Sequence, residues 1–187
     1  MGGDLINRKS EDQRLWQRVR EKKPDAYEKF YFKFAKDLIN YGIQLSNNEQ
    51  LTEDAVHDLF MEIFTMGKRL SVNAEPRAYL FRALRNNIFK LMSAEKRLNA
   101  DITHADLRFF TETNITEKLG DEHLQLLKML NKLSPREKEI IYLRFFEEMN
   151  NNEICKVMSL KKQTVKNIVC SAMKKLRCFI TDSEKQK

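Results

Sequence analysis

Glycine and proline are so scarce in this chain that few folds remain open to it. Of 187 residues, 5 are Gly and 3 are Pro, a combined share about a third of the usual ~12%. Sandwiches and barrels rely on frequent Gly- and Pro-containing turns, so an all-α chain is expected instead. The length allows one domain or two small ones, at about 150 residues per domain. The longest stretch free of charge is 38–48, well short of the roughly 18 apolar residues that a membrane-spanning helix needs. No apolar run precedes the first charged residues, so the expected location is the cytoplasm. Cys155, Cys170 and Cys178 contain no CxxC pair and fit neither a disulfide framework nor a four-ligand zinc site. They read as small buried thiols, and no metal or cofactor is expected.

Charge divides the chain. Its 34 Lys+Arg against 27 Asp+Glu give a net charge of +7, which makes a polyanion a candidate partner. The basic excess lies in 1–97 and 123–187, whereas acids dominate 98–122. That middle stretch has scattered apolar residues, several Thr and no 3.6-residue period, so it reads as an acidic linker between two small helical domains, 1–97 and 123–187. Segregation is sharper still locally. Cys155 to Cys178 holds Lys156, Lys161, Lys162, Lys166, Lys174, Lys175 and Arg177 and no acid, while Leu45 to Ile63 holds Glu49, Glu53, Asp54, Asp58 and Glu62 and no Lys or Arg. Such separation costs self-repulsion, and it points to two partners, one anionic and one basic.

Three helices are legible in the first domain. One begins at Pro24 and buries Ala26, Phe30, Phe34 and Leu38 at helical spacing. A second is expected from about Thr52, whose hydroxyl would cap it with Glu53 and Asp54 at the positive end of the dipole. It buries Ala55, Val56, Leu59, Phe60, Ile63 and Phe64 and turns Asp54, Asp58 and Glu62 outward. These like charges at i, i+4 cost a few tenths of a kcal/mol per pair unless a basic surface relieves them. The third begins at Pro76, with Tyr79, Leu80, Ala83, Leu84, Ile88 and Leu91 on its apolar side and Arg82, Arg85, Asn86 and Lys90 on the other. Cations and an amide near Tyr79, Phe81 and Phe89 suit single-stranded nucleic acid, where phosphates are neutralised and unstacked bases find a ring face.

In the second domain a leucine-rich helix through Leu124, Leu127, Leu130 and Leu133 precedes Ser134-Pro135-Arg136-Glu137. That tetrapeptide combines an N-cap Ser, Pro at the first helical position and Glu completing a capping box, so a helix starts at Pro135. It carries Ile140, Ile141, Leu143 and Phe145. Asn150 to Asn152 cap a short helix, Glu153 to Met158, and 159–162 form a turn before a last helix from about Gln163 to Phe179. Two helices across a tight turn, the second opening with polar and basic side chains, form a helix-turn-helix whose second helix enters the major groove. Lys161, Lys162, Lys166 and Lys174 would neutralise phosphates, while Gln163, Thr164 and Asn167 would reach base edges.

With these parts in order, the chain resembles the bacterial RNA polymerase sigma factors of the small extracytoplasmic-function type. Thr52 to Phe60 (TEDAVHDLF) is similar to the family's AEDLVQEVF signature, and Arg77 to Asn86 (RAYLFRALRN) to its AYLYRIVRN segment. Leu133 to Glu137, and Asn152-Glu153-Ile154 through Gln163-Thr164-Val165-Lys166, resemble its LPxxxR and EIAxxLGxSxxTVK segments. His57 stands for a usual Gln, Lys90 for a common Asp, Ser93 for an Arg, Glu148 and Ser159 for Gly, and Ile168 for a frequent Arg. The missing Gly at Ser159 requires a turn that tolerates a side chain.

The resemblance implies a promoter-specificity subunit without catalysis, cofactor or small-molecule substrate. Asp54, His57, Asp58, Phe60 and Glu62 would dock on the clamp helices of the largest subunit of core RNA polymerase. Arg82, Arg85, Asn86, Asn87 and Lys90, with a loop around Lys96 and Arg97, would hold the opened minus-ten element of promoter DNA and capture an extruded base. The second domain would read the minus-thirty-five element as a duplex. An anti-sigma factor, often membrane-bound in this family, is a further implied partner. No P-loop, nucleophile elbow or metal-ligand cluster is present, and His57, His104 and His123 are scattered. The rival reading from the residues alone is a helix-turn-helix regulator whose first domain senses a ligand or partner. Such a regulator binds duplex DNA unaided; a sigma factor does so weakly until polymerase is present.

Overall fold

A computed structural model describes residues 2–98 and 129–184. Helices account for its regular structure, and no strand occurs among the described residues. The chain divides into two compact units, Met1–Ala100 and Asp101–Lys187. The expected linker 98–122 falls outside the described residues apart from Leu98, as do Leu124, Leu127, His104 and His123.

The first unit is built from α1 (Gly2–Arg20), α2 (Pro24–Ser46), α3 (Glu49–Met66), a 3-10 turn (Gly67–Arg69) and α4 (Pro76–Leu98). The sequence reading contained no α1. Its charge-dense sequence shows little period, yet it buries Trp16 and Val19. Trp16 packs on Phe30 at 5.7 Å and on Tyr79 at 5.4 Å, and its indole N–H donates to the Ser71 carbonyl at 2.9 Å. Lys33 on α2 ties α1 down through Asp12 at 2.7 Å and Glu11 at 3.0 Å. Burial alone would lower the Lys33 pKa, but the two carboxylates outweigh it and raise it.

Between α2 and α3 the chain reverses within two residues. Asn47 adopts the left-handed conformation (φ 53) and closes α2, and Asn48 caps α3 by accepting from the Leu51 N–H at 3.1 Å. The cap is therefore Asn48 rather than Thr52, and α3 starts earlier than the hydroxyl suggested. Thr52 is wholly buried, its hydroxyl donating to the Asn48 carbonyl at 2.8 Å and lying 2.9 Å from the Ser46 hydroxyl. Beside it Gly42 lets three helices meet. A Cβ there would overlap the Thr52 Cγ2 methyl and reach 3.0 Å from Ile88 Cδ1 on α4. Gly42→Ala is expected to cost the first unit about 2 kcal/mol, the usual size of an overpacking penalty. Thermal unfolding followed by Trp16 fluorescence checks this, because the chain has 1 Trp and it reports the first unit; an unchanged midpoint would show that the seam has slack.

In the second unit a helical turn at 129–131 leads into α5 (Pro135–Phe145), α6 (Asn151–Met158) and α7 (Lys162–Glu184). Ile140, Ile141, Leu143, Met149, Ile154, Val157, Val165 and Ala172 form the core. Phe145, the last residue of α5, is 55% exposed. The thiols depart from expectation. Cys155 is half-buried, and Cys170 and Cys178 are exposed on α7.

Candidate nucleic-acid and partner interfaces

Three faces carry the residues singled out by the sequence. On α3 the buried stripe of Ala55, Val56, Leu59 and Ile63 turns Glu53, Asp54, His57, Asp58 and Glu62 to solvent. Asp54, Asp58 and Glu62 follow one another at i, i+4 along the helix, so their charges add on a face that no Lys or Arg of α3 offsets. Phe60 does not belong to this face. It is 1% exposed, held among Phe30 at 6.0 Å, Tyr31 at 4.9 Å and Phe64 at 6.0 Å, so it supports the face from the core. Glu62 also reaches α4 electrostatically. The Tyr79 phenol is pushed up, first by burial and then by the Glu62 carboxylate.

On α4 the side chains of Arg82, Asn86 and Lys90 are exposed and those of Arg85 and Asn87 half-buried. The Arg85 guanidinium lies 4.5 Å from the centroid of the Phe89 ring, an i, i+4 stack that holds a planar cation flat against the helix. Phe81, expected beside the cations, is instead fully buried 5.0 Å from Tyr41, because the α2 and α4 stripes meet there. Tyr79 is half-buried against Trp16. Lys96 and Arg97 stand on the last turns of α4, not in a loop, since the helix runs on to Leu98; their side chains lie outside the described residues.

The helix-turn-helix is fixed by caps at both ends of α6. Asn150 accepts from the N–H groups of Asn152 at 2.9 Å and Glu153 at 3.1 Å, while the Glu153 carboxylate accepts from the Asn150 N–H at 2.9 Å. This reciprocal box satisfies donors that the helix leaves open. At the other end Ser159 takes the left-handed conformation (φ 54, ψ 45). Glu148, ahead of the motif, does the same at φ 50. These are the two positions where the family pattern has Gly, so the turns keep their shape with side chains present, at a cost of about 1 kcal/mol each. The turn then delivers α7 with Lys162, Gln163, Lys166, Asn167 and Lys174 exposed and Thr164 half-buried, while Lys161 is exposed just before it. Gln163 Nε2 donates to Asn167 Oδ1 at 2.9 Å. Joined one turn apart, the two amides offer a rigid donor–acceptor edge.

Glu137 does more than the capping role its place in the sequence announces. Glu137 completes the α5 capping box, accepting from the Ser134 N–H at 2.9 Å, and also binds α7 through Lys175 Nζ at 2.8 Å and the Ser171 hydroxyl at 3.1 Å. Burial pushes its carboxyl up, but the hydrogen bonds from Lys175, Ser134 and Ser171 outweigh this and hold the pKa at about 2. Thus α7 is anchored to α5 through Ser171 and Lys175. Among the described residues no group of three or more His, Cys, Asp or Glu could hold a metal ion, and no helix is long and apolar enough to cross a membrane.

Comparison with known proteins adds a family model and a fold. Residues 123–176 match the model described as sigma-70, region 4. No curated protein sequence matches the chain. Among solved structures, that of CnrH in complex with the cytosolic domain of CnrY is 19% identical with a TM-score of 0.65, covering 91% of this chain and 97% of CnrH. The sigma factor RpoE, in a co-crystal with the anti-sigma factor NepR from Bartonella quintana, is 20% identical with a TM-score of 0.61, covering 83% of this chain and 96% of its own. At these identities the likeness is one of fold.

Proposed function

We propose that this chain is a sigma factor of the extracytoplasmic-function type, which binds core RNA polymerase and directs it to promoters. The observation that carries the reading is the match of 123–176 to region 4 over a capped helix-turn-helix whose second helix exposes Lys162, Gln163, Lys166 and Asn167. The first unit supplies what a duplex reader alone has no use for, an acidic helix face and a basic, amide-bearing one.

Each face has a task that its chemistry suits. Asp54, His57, Asp58 and Glu62 dock on a basic helical element of the polymerase, where charge complementarity steers the encounter and fixes register. On α7, Lys161, Lys162, Lys166 and Lys174 displace counterions from the minus-thirty-five phosphates, and Gln163, Thr164 and Asn167 read base edges. Arg82, Arg85, Asn86, Asn87 and Lys90, extended by Lys96 and Arg97, hold the melted minus-ten strand. Extruding a base costs a few kcal/mol of stacking, which a cationic surface with a planar guanidinium offsets. An anti-sigma protein, the class of partner with which RpoE was crystallised, is the regulator this reading implies. The domain boundary follows the acidic stretch 98–122.

Run-off transcription with bacterial core polymerase on a pool of promoter fragments tests the proposal. Transcripts that depend on the protein and share a start-site spacing are the expected result. A chain that binds duplex DNA unaided yet forms no complex with core polymerase would be a conventional regulator instead.

A further inference from the structure

The hydrogen bond between Gln163 and Asn167 decides which of their polar atoms are left for a ligand. An exposed amide standing alone turns either its oxygen or its nitrogen outward, so it discriminates little between donors and acceptors. Here Gln163 Nε2 donates to Asn167 Oδ1 at 2.9 Å, which commits the nitrogen of one side chain and the oxygen of the other. An acceptor, Gln163 Oε1, and a donor, Asn167 Nδ2, remain. Neither takes another partner among the described residues.

The pair is placed where a recognition helix meets bases. Gln163 and Asn167 are the second and sixth residues of α7, and both are exposed, at the end of the helix whose side chains reach base edges. Lys162 and Lys166, each one residue earlier and also exposed, form a parallel row on the adjoining side of the helix. Ammonium groups beside amides suit a groove, with the cations on its phosphate wall and the amides over its floor. On that floor the four bases differ. Adenine alone carries both a donor, N6, and an acceptor, N7; guanine offers two acceptors, cytosine one donor, and thymine one acceptor beside a methyl group.

We propose that Gln163 and Asn167 act as one unit that reads a single adenine in the minus-thirty-five element, the N6 amine donating to Gln163 Oε1 and N7 accepting from Asn167 Nδ2. The inference rests on the minus-thirty-five reading above and adds to it the base and the atoms. Guanine in the same place brings O6 against Gln163 Oε1, two acceptors with no proton between them, so the pair rejects the other purine. The device belongs to this chain rather than to the family pattern, since EIAxxLGxSxxTVK leaves the position of Gln163 open and ends at Lys166.

The test uses the complex of the full chain with core polymerase, on a promoter recovered by the run-off experiment. Each adenine of the minus-thirty-five element is replaced in turn by 7-deazaadenine, which lacks the N7 acceptor, and by purine, which lacks the N6 amine; each base pair is also exchanged. One adenine is expected at which either analogue weakens binding about tenfold. At that adenine Asn167→Ala should abolish the sensitivity to 7-deazaadenine, and Gln163→Ala the sensitivity to purine. Both side chains are exposed, so circular dichroism melts of the variants should match the wild type. Sensitivities that persist unchanged in both variants assign the adenine to another side chain and overturn the proposal. An element in which no adenine responds, while Lys166→Ala still lowers binding, overturns it and leaves the minus-thirty-five reading standing. Discrimination lost by the variants at a G·C pair, where cytosine N4 and guanine O6 present a donor and an acceptor across the pair, overturns it equally. A complex that does not form, or that is indifferent to the whole element, overturns the minus-thirty-five reading and the proposal together.

Discussion

Replacing Asp58 and Glu62 together by lysine is expected to abolish association with core polymerase while leaving the chain folded. The two positions lie one turn apart on α3 and are exposed, so neither substitution disturbs packing. The exchange reverses two charges on a face that holds no cation of its own, turning attraction into like-charge contact against a basic partner. Such juxtaposition costs several kcal/mol at an interface, about a thousandfold or more in affinity at 1.4 kcal/mol per tenfold. Folding is spared because one like-charged i, i+4 pair merely replaces another, a difference of a few tenths of a kcal/mol. Co-purification with tagged core polymerase, together with the Trp16 melt, reads both effects. Association at the wild-type level would remove the acidic face from the polymerase interface.

The second large effect concerns the other unit. Glu137→Ala removes the capping-box carboxylate and the acceptor of Lys175 and Ser171, and is expected to cost about 3 kcal/mol, combining a lost cap with a broken, half-exposed ion pair and a lost hydroxyl contact. Domains have only about 5–15 kcal/mol in total, so duplex binding through α7 should weaken as the unit begins to unfold. The same carboxyl sets an acid limit. Its pKa falls from 4.5 to about 2 on folding, so its contribution is complete above about pH 5 and disappears as the pH drops through about 2. Lys175 is half-exposed, at 46%, and solvent screens the pair, which places that contribution nearer 2 than 3 kcal/mol. Circular dichroism melts between pH 5 and pH 2 should therefore show a steeper loss for the wild type than for Glu137→Gln. Parallel curves for the two proteins would mean that the anchor carries no charge-dependent stability.

How much of this was legible in the sequence depended on the distance over which each signal acts. Ser134, Glu137 and Pro135 announced the start of α5 because every participant lies within one turn. The Asn150 box did so for α6, and the structure moved the helix start by only two residues. The segregation of acids on α3 from cations on α7 was equally plain, being a property of composition. What failed was whatever the third dimension decides. Thr52 looks like a cap, but its hydroxyl is drawn into a buried contact with Ser46, and Asn48 is left to close the helix. Phe81 stands beside the cations of α4 in the sequence, yet it lies in the core because α2 meets it there. Phe60 is buried as its spacing on α3 predicts, against the docking role that the resemblance implies. The whole of α1 was missed, since two buried apolar side chains among its described residues, Trp16 and Val19, make too faint a period amid dense charge. Lys175 and Glu137, separated by 38 positions, have no local signature at all.

The close meeting of Gly42, Thr52 and Ile88 bears on how a protein of this kind can diverge. The helix face that meets a partner and the helix face that carries the arginines are set against one another by a seam that leaves almost no spare volume. Exposed positions on either face can therefore be rewritten one at a time, giving new target sequences or new partners, without altering the offset between them. Substitutions at the seam offer no such gradual route, because a single methyl group displaces both faces at once. Variation among descendants of such a chain should accumulate on its rims and stall at its joint.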